Sequence, residues 1–169
     1  MRLEETYRRP EIHSTWRRVY RSSTRQQRFD DAVYRWIFER LKPEGRWLDA
    51  GCGSGDHTVR LAAGAGSVWA VDISPYALET AQEKVRSSGL DSRVTFERCA
   101  LEDLGAAGQV DHVHCRGVLM HIPDWRAALA RLCAAARKGG YVVIFESNSR
   151  CFEALLVLMV RCFQRRRSR

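Results

Sequence analysis

A chain of 169 residues, 45% hydrophobic and 28% charged, is long enough for one domain with a real core, and its longest apolar run, residues 154–160, is too short to cross a bilayer. The net charge of +8 sits at the ends: residues 1–28 hold eight Arg against three Glu, residues 150–169 six Arg against one Glu, and the stretch between 14 basic against 16 acidic residues. A basic domain face that tracks nucleic acid is thereby not indicated, though two basic ends are, and six cysteines without a C-x-x-C pair argue for reduced, intracellular thiols.

Residues 1–23 are rich in Arg, Ser, Thr and Glu and lack a long apolar period, so a basic arm, loop or frayed helix is expected there. Trp16 and Tyr20, one helical turn apart, would dock this arm on the domain or line a lid over a ligand. The first residues include Glu4 and Glu5 and no apolar core, which is not the pattern of a secretory signal, so a cytoplasmic location is expected. Over residues 25–42, Phe29, Val33, Trp36, Ile37 and Leu41 recur at helical spacing, and Pro43 and Gly45 stop the helix. Residues 46–49 read as a first strand, 56–63 as a crossover helix, and 67–72 as a second strand apolar on both faces. Ser74 and Pro75 supply an N-cap and a first-turn proline for a helix to residue 86, with Ala77, Leu78, Ala81 and Val85 on one face.

A third strand follows at 93–98, a loop at 105–108 and a fourth strand within 110–119. Asp124 caps a helix whose Trp125, Ala128, Leu129, Leu132, Cys133 and Ala136 form a stripe. Gly139 and Gly140 end it before a fifth strand at 141–145, and a strongly apolar last helix runs over 150–164 into a basic tail. The expected fold is α/β: a doubly wound, mostly parallel sheet of about five strands with helices on both faces. The domain would span residues 24–149, between an arm at 1–23 and a C-terminal helix with its tail at 150–169. Its ligand belongs at the carboxyl ends of the strands, beside the first strand.

There the sequence is most specific. Asp49 closes the first strand, and Gly51, Gly53 and Gly55 alternate before the helix. Glycines accept positive φ and let a ligand touch the backbone, and the helix start offers unpaired N–H groups. A dinucleotide turn would read G-x-G-x-x-G; here the third glycine comes one residue early and Asp56 follows. No Gly-Lys-Ser/Thr is present, which rules out a nucleoside-triphosphate loop. Asp72 ends the second strand, 23 residues after Asp49, where an acid can accept from both ribose hydroxyls of a nucleoside.

Over residues 45–146 these motifs resemble the class I S-adenosylmethionine-dependent methyltransferases. Asp49, Gly51, Gly53 and Gly55, with Cys52 inside the turn, match the first motif, and Asp72 with Ile73 matches the ribose-holding acid. Ala100, Leu101 and Glu102 resemble the segment that flanks the adenine, with Ala100 where many relatives carry Asp. Residues 111–124, including Cys115 and the Leu119-x-His121-x-Pro123-Asp124 ending, resemble the fourth-strand motif of the small-molecule branch, and residues 137–144 the turn into strand five.

The resemblance implies S-adenosylmethionine as cofactor, Asp49 near its cationic methionine end, and a small-molecule acceptor methylated on oxygen, nitrogen or carbon. A base is needed only for some of these, and His121, after the fourth strand, is the candidate. His57 reads as structural. His112 and His114 share a face without a third ligand at metal-site spacing, so no metal is expected. The family's sheet continues past strand five with a helix and a hairpin; this sequence ends after the helix. A truncated or shortened variant is therefore expected, its strand-five edge covered by a second copy, a partner or its own tail. The alternatives are an RNA methyltransferase using the Arg-rich ends, though no Asn/Asp-Pro-Pro-Tyr stretch follows strand four, and a non-catalytic cofactor-binding subunit.

Overall fold

Short apolar runs alternate with amphipathic stretches along this chain, and that alternation builds a parallel sheet with helical crossovers. The computed structural model describes residues 24–41, 44–105 and 108–146. In chain order these form α1 (Thr24–Leu41), β1 (Arg46–Ala50), α2 (Asp56–Gly64), β2 (Ser67–Asp72), α3 (Pro75–Ser87), β3 (Val94–Arg98), β4 (Val110–Arg116), α4 (Trp125–Ala135) and β5 (Ala136–Phe145). Single 3-10 turns sit at Asp91–Arg93, Leu101–Asp103 and Leu119–His121. The expected arm, its Trp16 and Tyr20, the helix stop at Pro43 and the last helix with its tail lie outside the described residues.

All four strand pairings are parallel, in the order β3-β2-β1-β4-β5. The chain order reverses between β1 and β4, so the ligand crevice belongs at their carboxyl ends. Successive strand residues point to opposite faces. Trp47, Val68 and Ala70 pack with Tyr34, Ile37, Leu61 and Val85 under α1, α2 and α3. Leu48, Ala50, Val71, Val113 and Cys115 pack with Ala128 and Leu132 under α4. The helix starts follow the expected chemistry: Ser74 Oγ accepts from Ala77 N at 3.3 Å with Pro75 in the first turn, and Asp124 Oδ1 accepts from Ala127 N at 3.0 Å.

Three local differences from the sequence reading have physical causes. In α1 the buried face is Asp30, Tyr34 and Ile37, while Phe29 and Trp36 stand 58% and 56% exposed. Hydrogen bonds to the sheet, described below, turn the polar residues inward against the apolar period. In α4, Trp125 and Cys133 are exposed and the buried line is Ala128, Leu132 and Ala135.

The strand after α4 begins earlier than expected: Ala136 already pairs with Val110, and the register then slips so that Tyr141 faces His112. Residues 137–140 make up the slip. Gly139 has φ +85°, a Cβ on Gly140 would collide with the Asp111 carbonyl, and Arg137 Nη1 pairs with Asp111 Oδ1 at 2.6 Å. The two glycines thus shape an irregularity inside the strand rather than the helix end.

Candidate functional site

The turn after β1 is tied to β2 by its backbone. Gly51 N and Cys52 N both donate to the Val71 carbonyl, at 2.8 and 2.9 Å. Gly51, Gly53 and Gly55 have φ of +73°, +53° and +80°, a region that side chains with a Cβ rarely adopt. They differ in surroundings. A Cβ on Gly51 would strike Val118, and one on Gly55 would lie 2.9 Å from Ala81, so both are packing glycines. A Cβ on Gly53 meets nothing within 4 Å, so this turn residue faces open space.

Asp72 stands at the edge of that opening, half-buried at the end of β2. Its Oδ2 accepts from Gly53 N and its Oδ1 from Ser74 N, both at 2.8 Å. One carboxylate therefore joins the glycine turn to the start of α3, and each oxygen can accept more than one hydrogen bond. An open backbone ledge flanked by a carboxylate at a strand end fits a nucleoside cofactor: the ledge admits a ring or ribose without a side-chain clash, and the acid suits vicinal hydroxyls.

Asp49 is placed differently. It is 2% exposed, beneath the turn, with Oδ2 accepting from Thr58 Oγ1 at 2.6 Å and Oδ1 2.9 Å from His114 Nδ1. His114, itself buried, has its Nε2 2.8 Å from the Tyr34 hydroxyl of α1. One arrangement satisfies all three groups: His114 Nδ1–H donates to Asp49, and the Tyr34 hydroxyl donates to Nε2. Burial alone would raise the Asp49 pKa, but the hydrogen bonds from His114 and the Thr58 hydroxyl outweigh it and hold the carboxyl below its usual range. The sheet register makes this possible, because Asp49 and His114 are direct partners across β1 and β4.

His57, in the first turn of α2, stacks on Tyr34 at 5.7 Å. Burial, then the nearby His114 and Arg116, depress its pKa to about 4. Arg116, the last residue of β4, donates Nη2 to Asp30 Oδ1 of α1 at 2.8 Å. Asp30, Tyr34, Thr58 and Arg116 were not among the expected site residues. Their signals were available: Asp30 and Tyr34 are one helical turn apart, and Arg116 directly follows the strand-four motif.

The remaining expected residues spread over the same edge. Cys52 and Cys115 are buried and uncharged: burial, then Asp49 and Asp72, pushes the Cys52 thiol well up. Burial, then Glu146, pushes Cys115 up to about 12. Ile73 and Ala100 are half-buried beside Asp72 and after β3, Leu101 is committed to the core under α4, and Glu102 is exposed. Cys99 N donates to the Asp72 carbonyl at 3.2 Å, which brings this segment to the end of β2.

His121 lies in the 3-10 turn after β4. Burial lowers its pKa against the opposing charge of Glu146, so the ring is neutral near pH 7. His112 shares the face of His114 but bonds away from the crevice, its Nδ1 3.2 Å from Tyr141 N. Among the described residues no group of three or more His, Cys, Asp or Glu is placed to hold a metal ion, and no helix is long and apolar enough to cross a membrane. A shallow groove of about 520 Å³ between α1 and α2, lined by Phe38, Arg60 and Ala63, does not include the turn.

Comparison with known proteins agrees with this geometry. The model of the methyltransferase domain family matches residues 48–140, a span that holds the turn, Asp72, β4 and α4. The chain is 39% identical over 103 residues to an uncharacterized protein of Synechococcus sp., covering 59% of this chain and 25% of that one. It is 34% identical over 115 residues to the ubiquinone biosynthesis O-methyltransferase of Methylococcus capsulatus, covering 67% of this chain and 47% of that one. The chain thus spans between a quarter and about half the length of these two curated relatives.

Among solved structures, magnesium protoporphyrin IX methyltransferase from Synechocystis PCC 6803 with bound SAM is similar at a TM-score of 0.66 and 27% identity, covering 80% of this chain and 73% of that one. Sequence and fold lead to one conclusion: the chain belongs to the methyltransferase domain family and has the Rossmann-like fold of class I S-adenosylmethionine-dependent methyltransferases.

Proposed function

We propose that this protein is an S-adenosylmethionine-dependent methyltransferase acting on a small-molecule acceptor. The observation that carries the reading is Asp72, whose carboxylate holds Gly53 N at the lip of an open backbone ledge. In this reading Asp72 takes the ribose hydroxyls, and the backbone of Gly51, Gly53 and Gly55 with Cys52 forms the floor. Ile73, Ala100, Leu101 and Glu102 border the adenine, and Cys115 closes the crevice from β4. Asp49, sealed under the turn, contributes its negative charge through space rather than by contact.

When bound, S-adenosylmethionine supplies a methyl group already activated by a sulfonium leaving group, so the chain's own task is to orient and to exclude water. For a hydroxyl acceptor, His121 is the group that takes the proton, and its neutral ring suits that role. The relatives named as ubiquinone biosynthesis O-methyltransferases favour oxygen as the acceptor atom.

The same reading divides the chain into an arm at 1–23, a cofactor domain at 24–149 and a helix with a basic tail at 150–169. A cytoplasmic location is supported by the free thiols of Cys52, Cys99, Cys115 and Cys133. A homodimer or partner over β5 is supported by the exposure of Tyr141 and Ile144 on the outermost strand of the described sheet. Calorimetric titration with S-adenosylhomocysteine tests the reading: Asp72→Ala is expected to weaken binding at least about tenfold, the loss of hydrogen bonds to a charged group. An unchanged affinity would remove the ribose assignment.

A further inference from the structure

The apolar period of α1 is turned away from the domain. Phe29, Val33 and Trp36 fall on one line of the helix, two turns from first to last. Phe29 and Trp36 are exposed, Ala32 is exposed between them, and Val33 is half-buried at their base. The face that α1 buries carries Asp30, Tyr34 and Ile37 instead. Single exposed rings are ordinary, but two on one helical line with Ala32 and Val33 between them make a patch.

The charge around this stripe is one-sided. α1 carries three acids, Asp30, Asp31 and Glu39. Arg116 of β4 takes Asp30 at 2.8 Å and Arg60 of α2 takes Asp31 at 3.1 Å. These two pairs fix the roll of the helix, keep the stripe outward, and leave Glu39 against the exposed Arg28, Arg35 and Arg40. The Arg40 guanidinium lies over the Trp36 ring, 5.8 Å from its centroid, so cation and aromatic share one end of the stripe. The sequence before α1 continues the same sign, with six Arg against three Glu over residues 1–23.

That sign selects the occupant. A second copy of this face would set arginines against arginines, and the stretch before α1 is repelled in the same way. RNA and an anionic lipid surface both have the complementary charge. Sequence-independent binding of single-stranded RNA uses a basic groove with rings open for base stacking. Here the rings stand on the convex side of a helix, and Arg40 occupies one face of Trp36. A convex stripe of Phe, Val and Trp edged by arginines fits a helix lying in a headgroup layer.

We propose that α1 docks this protein on an anionic lipid surface, with Phe29 and Trp36 entering the boundary between headgroups and acyl chains and Arg28, Arg35 and Arg40 meeting lipid phosphates. This surface lies apart from the glycine turn and does not depend on the methyltransferase reading.

Flotation of the full chain tests it, with vesicles of phosphatidylcholine alone and of phosphatidylcholine and phosphatidylglycerol in equal parts. The wild type is expected to float with the mixed vesicles, not with phosphatidylcholine, and to be released as salt rises. The double variant Phe29→Ser with Trp36→Ser gives up the inserted ring area, and its affinity for mixed vesicles falls about tenfold or more. Arg28→Gln with Arg35→Gln keeps both rings and weakens binding about fivefold for each arginine removed. Urea midpoints and far-ultraviolet circular dichroism matching the wild type show that both variants are folded.

A folded wild type that does not float with mixed vesicles overturns the proposal. So does equal flotation of the wild type and the Phe29→Ser, Trp36→Ser variant, which would assign binding to the basic ends alone. Two further measurements identify the other occupants. An oligomer in analytical ultracentrifugation that the ring variant dissolves, without flotation, would make the stripe an interface between copies. Single-stranded RNA bound without flotation, and weakened by Arg28→Gln with Arg35→Gln, would give the face to RNA. Either result replaces the lipid surface.

Discussion

Tyr34 reaches from a helix outside the glycine motif to a histidine in the middle of the sheet, and through it to the first-motif acid. Its hydroxyl stands 2.8 Å from His114 Nε2, at a site where His114 is 1% exposed. Tyr34→Phe preserves the ring and its stacking on His57 but leaves a buried ring nitrogen unpaired, for which the expected cost is about 1–3 kcal/mol. Urea unfolding of the two proteins measures it, and equal midpoints would show that water replaces the hydroxyl.

The role of Asp49 separates what is legible in sequence at this scale from what is not. Its place before Gly51 identified the motif, but the direction of its carboxylate depends on His114, 65 positions away and brought alongside only by the β1–β4 register. The place of Asp72 at the end of β2 was legible from the strand pattern, and its bond to Ser74 N is local, but its bond to Gly53 N, 19 positions away, depends on β1 and β2 lying side by side.

Elements here are set by where they must approach one another closely. At Gly55 the chain combines φ +80° with a Cβ position 2.9 Å from Ala81 of α3, so this glycine lets α2 start against its neighbour. Gly55→Ala therefore meets both left-handed backbone strain and an overpacked contact, and is expected to cost about 2 kcal/mol or more. A Gly53→Ala variant, whose Cβ meets no neighbour, carries the backbone strain alone and separates the two contributions. Chemical denaturation of both variants gives the difference directly; equal losses would show that Ala81 yields without cost.

The five strands and the doubly wound class followed from alternating apolar runs and glycine breaks, which are local signals. The orientation of α1 did not. Hydrophobic period favours Phe29 and Trp36, whereas the fold buries Asp30 and Tyr34 because Arg116 and His114 wait for them on β4. A polar residue with a distant partner is invisible to periodicity. The slip at 137–140 was hidden for a similar reason, since Gly139 and Gly140 have the composition of a helix stop and serve Asp111 instead.

For the whole molecule, the cluster under the glycine turn couples stability to pH in two windows. His57 titrates normally near 6.5 when unfolded and near 4 when folded, so as pH falls between these values the unfolded chain binds a proton that the native state refuses. Stability is fully present above about pH 6.5 and declines toward pH 4; the full shift corresponds to about 3 kcal/mol. Asp49 adds a second loss in the same direction at lower pH. Its folded pKa is depressed, so its contribution is present above the ordinary carboxylate range and disappears as pH drops through the folded value. His112 and His121, both shifted down by burial, lose stability in the same direction as pH falls below the ordinary histidine range.

The His57 share is isolated by His57→Phe, which keeps the ring contact with Tyr34 and has nothing to titrate. Unfolding free energies measured in urea from pH 7.5 to 4.5 are expected to fall more steeply for the wild type than for the variant as pH decreases. Parallel curves would mean that the imidazole protonates in the native state as easily as in the unfolded chain. The ring would then be open to water, and the cluster would not be sealed by α1.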